Sequence, residues 1–484
     1  MRRARPRQAG VNGPQMKTAI ALVFLAVTAS SLHAQTLTPS QQYARDVYKE
    51  IIEYNSVNIG GGTTEVANAI AKRFRDAGFA DQDIFLGGIQ PNKHNVVVRY
   101  RGKGGANGPK PLLLLAHLDV VEALKADWSP GLDPFTFLEK DGYFYGRGII
   151  DDKAQVAIFT AVVVQMKKDG YVPDRDIVVA FTADEEGGCC NGARWLFSNH
   201  RELVDASLVL NEGAFGFIRN GKPVANTIEA TQKVTGGFTV TAKNRGGHSS
   251  LPRPDNAIYQ LAAGLMKLSA LKFPVEFNDV SRAYFEQTAK IETPRIAAAM
   301  RALIKNPADS EAEAVLARDP LYNSMLRTTC VATMLKGGHA SNALPQTAEA
   351  GINCRMMPDA RISDVRAMIV KALDDPELEV STPANREPRA AAAVVPEVLK
   401  AVEHVTQEMW GSIPVIQIMQ GGATDAIPWR SAGIPAYGVS GLMVDPDDLR
   451  LHGRDERVPV KSFFDAQEFT ARLTRLLTSG KTAP

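Results

Sequence analysis

Apolar residues follow two alternating patterns along the first half of the chain. A helical spacing places Val66, Ile70 and Phe74 on one face of a segment that ends before Gly78. Between such segments lie short, largely apolar runs, at 112–116, 177–183 and 207–210. Runs of this length are typical of strands buried on both faces of a parallel sheet. The alternation of helices with buried strands predicts an α/β fold with a mostly parallel sheet.

The pattern changes near residue 232. Residues 238–242 alternate between apolar and polar side chains, as a half-exposed strand does, and a predicted helix over 256–270 follows a glycine-rich turn. A mostly helical and polar stretch at 275–327 precedes two further strand-like runs. After Pro388 the alternation of helices and buried strands seen in the first half of the chain returns. We therefore predict an α+β domain with an antiparallel sheet, inserted into the α/β domain.

The length of the chain agrees with this division. A chain of 484 residues is longer than one ordinary hydrophobic core supports. We assign residues 35–231 and 387–484 to the two parts of the α/β domain, and residues 232–386 to the inserted domain. The composition, 45% hydrophobic and 22% charged, is that of a folded soluble protein.

The N-terminus has the order of a secretion signal. Four arginines and Lys17 precede an apolar stretch over 18–29, and small residues then lead to Ala34. A stretch of 12 apolar residues is too short to span a bilayer core of about 30 Å, which disfavours a membrane anchor. We expect residues 1–34 to be a signal peptide and the mature protein to be periplasmic or secreted, with either Met1 or Met16 as the start.

Removal of this segment changes the charge balance. The whole chain has 55 Lys and Arg against 53 Asp and Glu, and five of the basic residues lie within residues 1–34. The mature chain then carries 50 basic against 53 acidic residues, a net charge of −3. This balance argues against nucleic acid or an anionic membrane as a partner.

Four cysteines are compatible with an oxidising compartment. Cys189 and Cys190 are neighbours, and a bridge between neighbours is strained. Cys330 and Cys354 flank a predicted strand pair, where a disulfide could join them. Four free or buried thiols are an equally compatible alternative.

Potential metal ligands follow each of the three buried strands. They are His117 and Asp119 after the first, Asp184, Glu185 and Glu186 after the second, and Glu212 after the third. Asp151 and Asp152 open a predicted helix. Because the ligand site of an open α/β sheet lies beyond the carboxyl ends of its strands, we expect these side chains to converge.

So many carboxylates cannot all stay ionised without compensating positive charge. Divalent metals provide such charge, and a mixed set of His, Asp and Glu ligands suits zinc. An acid/base pair of carboxylates, as in glycosidases, is the alternative. That mechanism needs neither His117 nor so many acids, so a metal site is favoured.

The order of these motifs resembles the co-catalytic di-zinc exopeptidases and aminoacylases, peptidase family M20. The motifs are His117-Leu-Asp119, Gly146-Arg147-Gly148 with Asp151-Asp152-Lys153, Asp184-Glu185-Glu186-Gly187, Asn211-Glu212-Gly213, Gly247-His248-Ser249 and Leu451-His452. Glutamate carboxypeptidase, acetylornithine deacetylase, carnosinase and vacuolar carboxypeptidase S belong to this family. The resemblance covers residues 40–480 and is greatest to the carboxypeptidase S branch. It implies a zinc-exopeptidase-like catalytic domain, in which residues 232–386 form a lid and dimerisation domain.

The resemblance also implies the metal ligands. Asp151 bridges two zinc ions. His117 and Glu212 complete one site, while Glu186 and His452 complete the other.

Further roles near the metals follow from the same resemblance. Asp119 orients the His117 imidazole, and Glu185 is the general base that takes a proton from metal-activated water. Asp152 is structural, and the Asp151–Asp152 peptide bond is cis.

The inserted domain supplies the remaining candidates. His248 reaches over the metals, from the same chain or from a partner subunit in a homodimer, and stabilises the oxyanion. Asn342 and Arg355 hold the carbonyl and the carboxylate of the substrate. Gly422 and Thr424 lie in a glycine-rich loop, in the other domain, that contacts the substrate. A solvated strand charge is the alternative for Arg355.

We therefore expect an exported zinc metallopeptidase that hydrolyses the amide bond of small peptides next to a free terminus. An N-acyl amino acid amidohydrolase with the same mechanism is the first alternative. A zinc-binding protein without catalysis is the second. The presence of Glu185 favours an enzyme, because a passive metal site needs no general base.

Overall fold

The structure, a computed structural model, describes residues 36–105, 108–382 and 393–480. The predicted signal peptide at 1–34 and the predicted domain boundary between residues 386 and 387 lie outside these residues. The helices are α1 Pro39–Ile52, α2 Thr64–Asp76, α3 Lys153–Lys168, α4 Gly192–Asn199, α5 Arg201–Val204, α6 Ala257–Ser269, α7 Asp279–Thr288, α8 Pro294–Lys305, α9 Ser310–Leu316, α10 Pro320–Leu326, α11 Ile362–Leu373, α12 Pro396–Trp410, α13 Ile427–Ser431 and α14 Val460–Thr478.

The strands divide between a large sheet, a smaller sheet and short ribbons. They are β1 Ile84–Gly88, β2 His94–Tyr100, β3 Leu112–His117, β4 Leu138–Lys140, β5 Tyr143–Tyr145, β6 Ile177–Thr182, β7 Leu208–Asn211, β8 Gly216–Arg219, β9 Lys222–Gln232, β10 Val234–Lys243, β11 Gly247–His248, β12 Thr329–Gly337, β13 Ala343–Leu344, β14 Thr347–Met356, β15 Glu379–Ser381, β16 Val415–Gln420, β17 Ala436–Gly438, β18 Met443–Val444 and β19 Arg457–Pro459.

The large sheet has the order β1-β2-β6-β3-β7-β17-β9-β8-β18, and β16 pairs with β9. Its centre is parallel, because β3 pairs in parallel with β6 and β7, and β17 pairs in parallel with β7. Antiparallel pairs occur on either side of this centre. All residues of β3 and β6 are buried, as expected for strands covered on both faces. The predicted α/β fold with a mostly parallel, mixed sheet is confirmed.

The smaller sheet is antiparallel, in the order β12-β14-β10-β15. Helices α6 and α11 cover one face, and their apolar residues form a separate core with the strands. This is the α+β unit that the sequence predicts between the two stretches of α/β pattern. The predicted strand at 347–356 coincides with β14, and Asn256 caps α6 through its side chain.

The polar helical stretch packs differently from our expectation. Helix α7 lies against β16 of the large sheet, and Arg219 of β8 forms an ion pair of 2.9 Å with Glu292. The segment α7–α10 therefore lies against the α/β unit, although it is inserted between two strands of the smaller sheet. Its amphipathic pattern predicts helices but does not indicate which surface they cover.

Both cysteine pairs are disulfides. Cys330 and Cys354 lie opposite each other on β12 and β14, in agreement with the predicted pairing. Cys189 and Cys190 are also joined, although we expected neighbouring cysteines to be unfavourable partners. No helix in the described part of the chain has both the length and the apolar character that a membrane span needs.

Candidate metal centre and active site

The side chains that follow the three central strands meet at one edge of the large sheet. Strand β3 lies between β6 and β7 and is parallel to both, so their carboxyl ends coincide. His117 is the last residue of β3, Glu212 directly follows β7, and Glu186 lies in the loop after β6. Positive φ angles at Asp184 (56°) and Gly213 (84°) turn the chain away from the strands at this edge.

One group of ligands surrounds His117. Its Nε2 atom lies 3.0 Å from Oδ1 of Asp151 and 3.3 Å from Oε2 of Glu212. The imidazole is fully buried, and Oε1 of Glu212 is buried without a hydrogen-bond partner. An unpartnered buried acceptor of this kind is uncommon and needs a donor or a cation.

A second group surrounds His452, on the loop before β19. Its Nε2 atom lies 2.8 Å from Oε1 of Glu186 and 3.3 Å from Oδ2 of Asp151. Asp151 therefore directs one oxygen toward each histidine. This is the arrangement that a carboxylate bridging two metal ions requires.

The carboxylates and imidazoles shift one another's pKa values. Burial raises the pKa of Glu212 to about 7, against the lowering effect of His117. Burial alone would lower the pKa of His117, but the carboxylates of Glu212 and Asp151 raise it well above its ordinary value. Hydrogen bonds to Asp151 and Glu186 raise the pKa of His452 to about 10. The cluster thus stabilises positive charge on both histidines.

The donor set fits a pair of divalent metal ions. Ligand atoms of His117, Asp151 and Glu186 lie within 4.8 Å of one another, and those of His117, Asp152 and Glu212 do so too. Imidazole nitrogens and carboxylate oxygens suit zinc, and several other divalent metals tolerate them. These two groups share His117, and the second includes Asp152, for which we expected a structural role. Asp151 contacts both His117 and His452, so the predicted ligands all lie within one cluster.

Asp119 is close to His117, but its contacts differ in detail from the expected ones. Nδ1 of His117 lies 3.0 Å from the main-chain oxygen of Asp119, while the carboxylate is 3.7 Å away. The carboxylate accepts hydrogen bonds from the main-chain N–H groups of Glu185 (3.1 Å) and Glu186 (3.0 Å). Asp119 thus fixes the imidazole through its backbone and the loop of Glu185 through its side chain.

The side chain of Glu185 stands apart from the ligand groups. Within the described residues its carboxylate makes no hydrogen bond and no ion pair. Burial, reinforced by the charge of Glu212, raises its pKa well above the ordinary value. A proton-accepting group beside a metal site has these properties.

Glu456 organises the turn before Asp151, and the sequence did not single it out. Its carboxylate forms an ion pair of 2.7 Å with Arg147 and accepts hydrogen bonds from the N–H groups of Gly148 (3.1 Å) and Ile150 (2.9 Å). The next peptide bond, Asp151–Asp152, is cis, as the resemblance implied. The carboxylate of Asp152 accepts a hydrogen bond from the main-chain N–H of His117 at 3.2 Å.

Asp425 is a second residue that sequence reasoning missed. Its carboxylate accepts hydrogen bonds from Thr182 (2.5 Å) and from the side chain of Asn191 (2.7 Å). Thr182 ends β6 and Asn191 caps α4, so these partners lie at the two ends of the loop that carries Glu185 and Glu186. The one sequence signal for this residue is the glycine-rich motif Gly-Gly-Ala-Thr-Asp, which predicts a loop that contacts the substrate.

The remaining candidates lie in three places. His248 and Asn342 are exposed and close together, because β11 pairs with β13 and Ser249 donates its N–H to the Asn342 carbonyl at 3.0 Å. Within the described residues, neither forms a hydrogen bond or ion pair with the metal ligands. Arg355 on β14 donates to Thr235 at 2.8 Å and has no carboxylate partner there.

The glycine-rich loop is partly open. Thr424 is buried, and its hydroxyl donates to the side-chain oxygen of Gln232 at 3.2 Å. A side chain added at Gly422 would meet no heavy atom within 4 Å. The open position is thus at Gly422, while Thr424 is already held by the protein.

The profile of peptidase family M20/M25/M40 matches residues 113–476, which contain every residue of both ligand groups. The chain belongs to peptidase family M20/M25/M40.

Two relatives of the chain carry different activities in their names. The chain is 27% identical over 397 residues to human N-fatty-acyl-amino acid synthase/hydrolase PM20D1, covering 79% of this chain and 78% of that protein. It is 26% identical over 391 residues to probable carboxypeptidase S-like 2 of Dictyostelium discoideum, with 79% and 74% covered.

A solved structure supports the fold of this M20 member. The M20 family metallo-carboxypeptidase Sso-CP2 from Sulfolobus solfataricus superposes with a TM-score of 0.66 at 18% identity, over 90% of this chain and 98% of that one. The predicted family resemblance is confirmed. The M20 protein is therefore a hydrolase of peptide or amide bonds with a di-metal mechanism, and the alternative of a non-catalytic zinc-binding protein is not supported.

Proposed function

We propose that this M20 hydrolase is an exported zinc exopeptidase that cleaves the amide bond of small peptides next to a free terminus. The observation that carries the proposal is Glu185, a half-buried carboxylate near Glu212, His117 and Asp151 that makes no hydrogen bond or ion pair within the described residues. A site that only stored metal would not need this extra acid. Its position supports a general base.

The chain's own residues supply most of the chemistry. Asp151, between His117 and His452, would hold both metal ions, with His117 and Glu212 on one side and Glu186 and His452 on the other. When bound, zinc ions polarise the amide carbonyl and lower the pKa of the attacking water molecule. Glu185 accepts a proton from that water and later donates it to the leaving amine. Asp119 holds the main chain of Glu185 during both transfers.

Hydrolysis of N-acyl amino acids is the second candidate. The sequence similarity to human N-fatty-acyl-amino acid synthase/hydrolase PM20D1 favours it. Both substrate classes place an amide bond next to a carboxylate, so the same catalytic groups serve either. Screening zinc-loaded protein against dipeptides and N-acyl amino acids, with Glu185→Gln as the inactive control, separates the two. Turnover of neither class by the wild type would refute both candidates.

Export is supported by the basic and apolar pattern of residues 1–34. Expression of the full chain in a Gram-negative host should yield periplasmic protein. Its N-terminus, read by mass spectrometry, should be Gln35 or lie close to it. Full-length protein retained in the cytoplasm would contradict this part of the proposal.

Within residues 232–386, the smaller sheet with α6 and α11 acts, in this proposal, as a lid that also joins two copies of the chain, whereas α7–α10 stays against the α/β unit. Strand β12 is at the edge of the smaller sheet, and an edge strand presents unpaired backbone groups to a partner. Its side chains Met334 and Leu335 are 63% and 70% exposed, and Met266 on the adjoining α6 is 72% exposed. Such a patch favours a second copy.

Light scattering after size exclusion tests this interface. Leu335→Lys should convert a dimer to a monomer, because it places a charge in the apolar patch. Leu321→Lys is the matched control, since Leu321 is 58% exposed on α10, outside the patch. A wild-type monomer, or a dimer that withstands Leu335→Lys, would refute the proposed interface. In the dimer, His248 of one subunit would reach the metal site of the other.

A further inference from the structure

A groove beside the proposed general base is not used by any role assigned so far. Its volume is about 560 Å³, and Glu185 forms part of its wall. The loop of Gly187, Gly188 and Cys189 lines another part, and Arg194 and Trp195 of α4 line a third. A substrate whose scissile bond lies at Glu185 can therefore extend directly into this groove.

The walls of the groove are fixed before any ligand binds. Trp195 packs against Phe85 and His200, with ring centroids 6.3 and 4.5 Å away. The Cys189–Cys190 disulfide restricts these two neighbouring residues, and the Asn191 side chain ties the end of the loop to Asp425 at 2.7 Å. A site that is already ordered loses little entropy when a ligand binds.

Arg194 is the cationic side chain among the described residues that line the groove. It is exposed, and within the described residues its guanidinium forms no ion pair and no hydrogen bond. Asp184 also lines the groove, but its carboxylate is already neutralised by Lys93 at 2.6 Å. The carboxylate of Glu185 forms another part of the wall, so the guanidinium of Arg194 is the group there that can attract an anionic side chain.

We propose that this groove binds an acidic side chain of the substrate, on the acyl side of the scissile bond, through Arg194. A guanidinium presents two parallel N–H donors that match the two oxygens of a carboxylate. We assign the C-terminal carboxylate of the substrate, on the leaving amino acid, to Arg355 on the lid. An acidic side chain bound at Arg194 would therefore belong to the other half of the substrate, which carries the scissile carbonyl. This inference rests on the proposed exopeptidase function and adds a preference to it.

Two dipeptides that differ only in charge test the groove. Zinc-loaded wild type should hydrolyse glutamyl-leucine with a kcat/KM about 10-fold above that for glutaminyl-leucine, mainly through a lower KM. Arg194→Gln should abolish this preference by lowering the kcat/KM for glutamyl-leucine to the level of that for glutaminyl-leucine. Arg194→Lys should retain part of it, because the charge remains.

A matched control excludes a general effect of surface charge. Arg301 is exposed on α8, and Arg301→Gln removes the same charge far along the chain from the groove. The preference for glutamyl-leucine should survive in this variant. Equal rates on both dipeptides in the wild type, or a preference that persists in Arg194→Gln, would overturn the inference while leaving the hydrolase intact.

Failure of the proposed function gives a different result. If wild type hydrolyses neither dipeptide, calorimetric titration with the same two compounds decides the question for the groove. Tighter binding of glutamyl-leucine that is lost in Arg194→Gln supports the inference. Equal binding of the two dipeptides overturns it.

Discussion

The carboxylate of Asp425 accepts a hydrogen bond of 2.5 Å from the hydroxyl of Thr182, a residue 243 positions earlier in the chain. Together with Asn191, this contact joins the glycine-rich loop to the loop that carries Glu185. Asp425→Ala should lower kcat by about 10- to 100-fold, because the base is no longer held in line with the substrate. Metal analysis should still find the wild-type content.

Thr182 provides the matched pair of variants for this effect. Thr182→Ser keeps the hydroxyl and should remain close to wild type, whereas Thr182→Val should lower kcat in the same direction as Asp425→Ala. Full kcat in folded Asp425→Ala would show that the contact is dispensable.

Glu185 and Glu186 should separate into a base and a ligand. Glu185→Gln should lose about 10²- to 10⁴-fold in kcat, because proton transfer is removed, and should keep its metal. Glu186→Gln should lose metal instead, since an amide is a poorer ligand beside His452. Elemental analysis with steady-state kinetics distinguishes the two. Loss of zinc from Glu185→Gln would reverse the assignment.

His248 should act on turnover. If it stabilises charge that develops in the transition state, His248→Ala should lower kcat by about 100-fold with little change in KM. The variant His339→Ala, in the same domain, is the control. A mixture of two inactive variants, His248→Ala and Glu185→Gln, tests whether the histidine acts across a dimer. In a mixed dimer, the chain with intact Glu185 would receive His248 from its partner, so part of the activity should return. If the mixture regains no activity, His248 either acts on the metal site of its own chain or takes no part in the reaction.

Arg355 should act on binding. Among the described residues, its guanidinium has Thr235 as its one side-chain partner and no carboxylate partner, so it can hold a carboxylate that the substrate already carries. Arg355→Ala should mainly raise KM for free-acid dipeptides, and it should spare dipeptides with an amidated C-terminus. Equal losses on both substrates would remove the main support for an exopeptidase.

Metal loading should release protons. The pKa of His117 is raised well above its ordinary value and that of His452 to about 10, so both imidazoles are protonated at pH 7 before metal binds. Zinc must displace these protons, so its affinity should rise as the pH increases from 7 toward 10. Titration of metal-free protein in unbuffered solution should release about two protons per chain. His452→Ala should release about one fewer, and an equal release would contradict the role of His452.

The part of the site that the sequence predicted depends on local pattern. Three apolar runs end in His117, Glu186 and Glu212, and adjacent parallel strands bring such ends together without further information. His452 follows no such run, and only the resemblance to the M20 family indicated it. The local pattern therefore indicated the candidate ligands at the strand ends, whereas the candidate on a distant loop was indicated by the family resemblance alone.

The residues that sequence reasoning missed act through contacts distant in the chain. Glu456 binds the turn at Arg147, 309 positions earlier, and Asp425 binds Thr182 across a similar interval. From the sequence alone, an acidic residue that is buried by such a distant contact cannot be distinguished from an acidic residue on the surface. The packing of α7 against β16 could not be predicted either, because an amphipathic pattern identifies the apolar face of a helix but not the surface that this face contacts.

The docking of α7–α10 on the large sheet has a consequence for motion. The chain crosses between the two units near Lys233, leaves the smaller sheet again after Phe273 and returns after Leu326. These crossings are tied together, because Lys233 donates to the Arg327 carbonyl at 2.7 Å and Arg327 donates to the Phe273 carbonyl at 2.8 Å. These hydrogen bonds favour rotation about an axis through the three crossings, because sliding would break them. If the smaller sheet acts as the proposed lid, we therefore expect it to rotate about this axis rather than to slide over the candidate metal site.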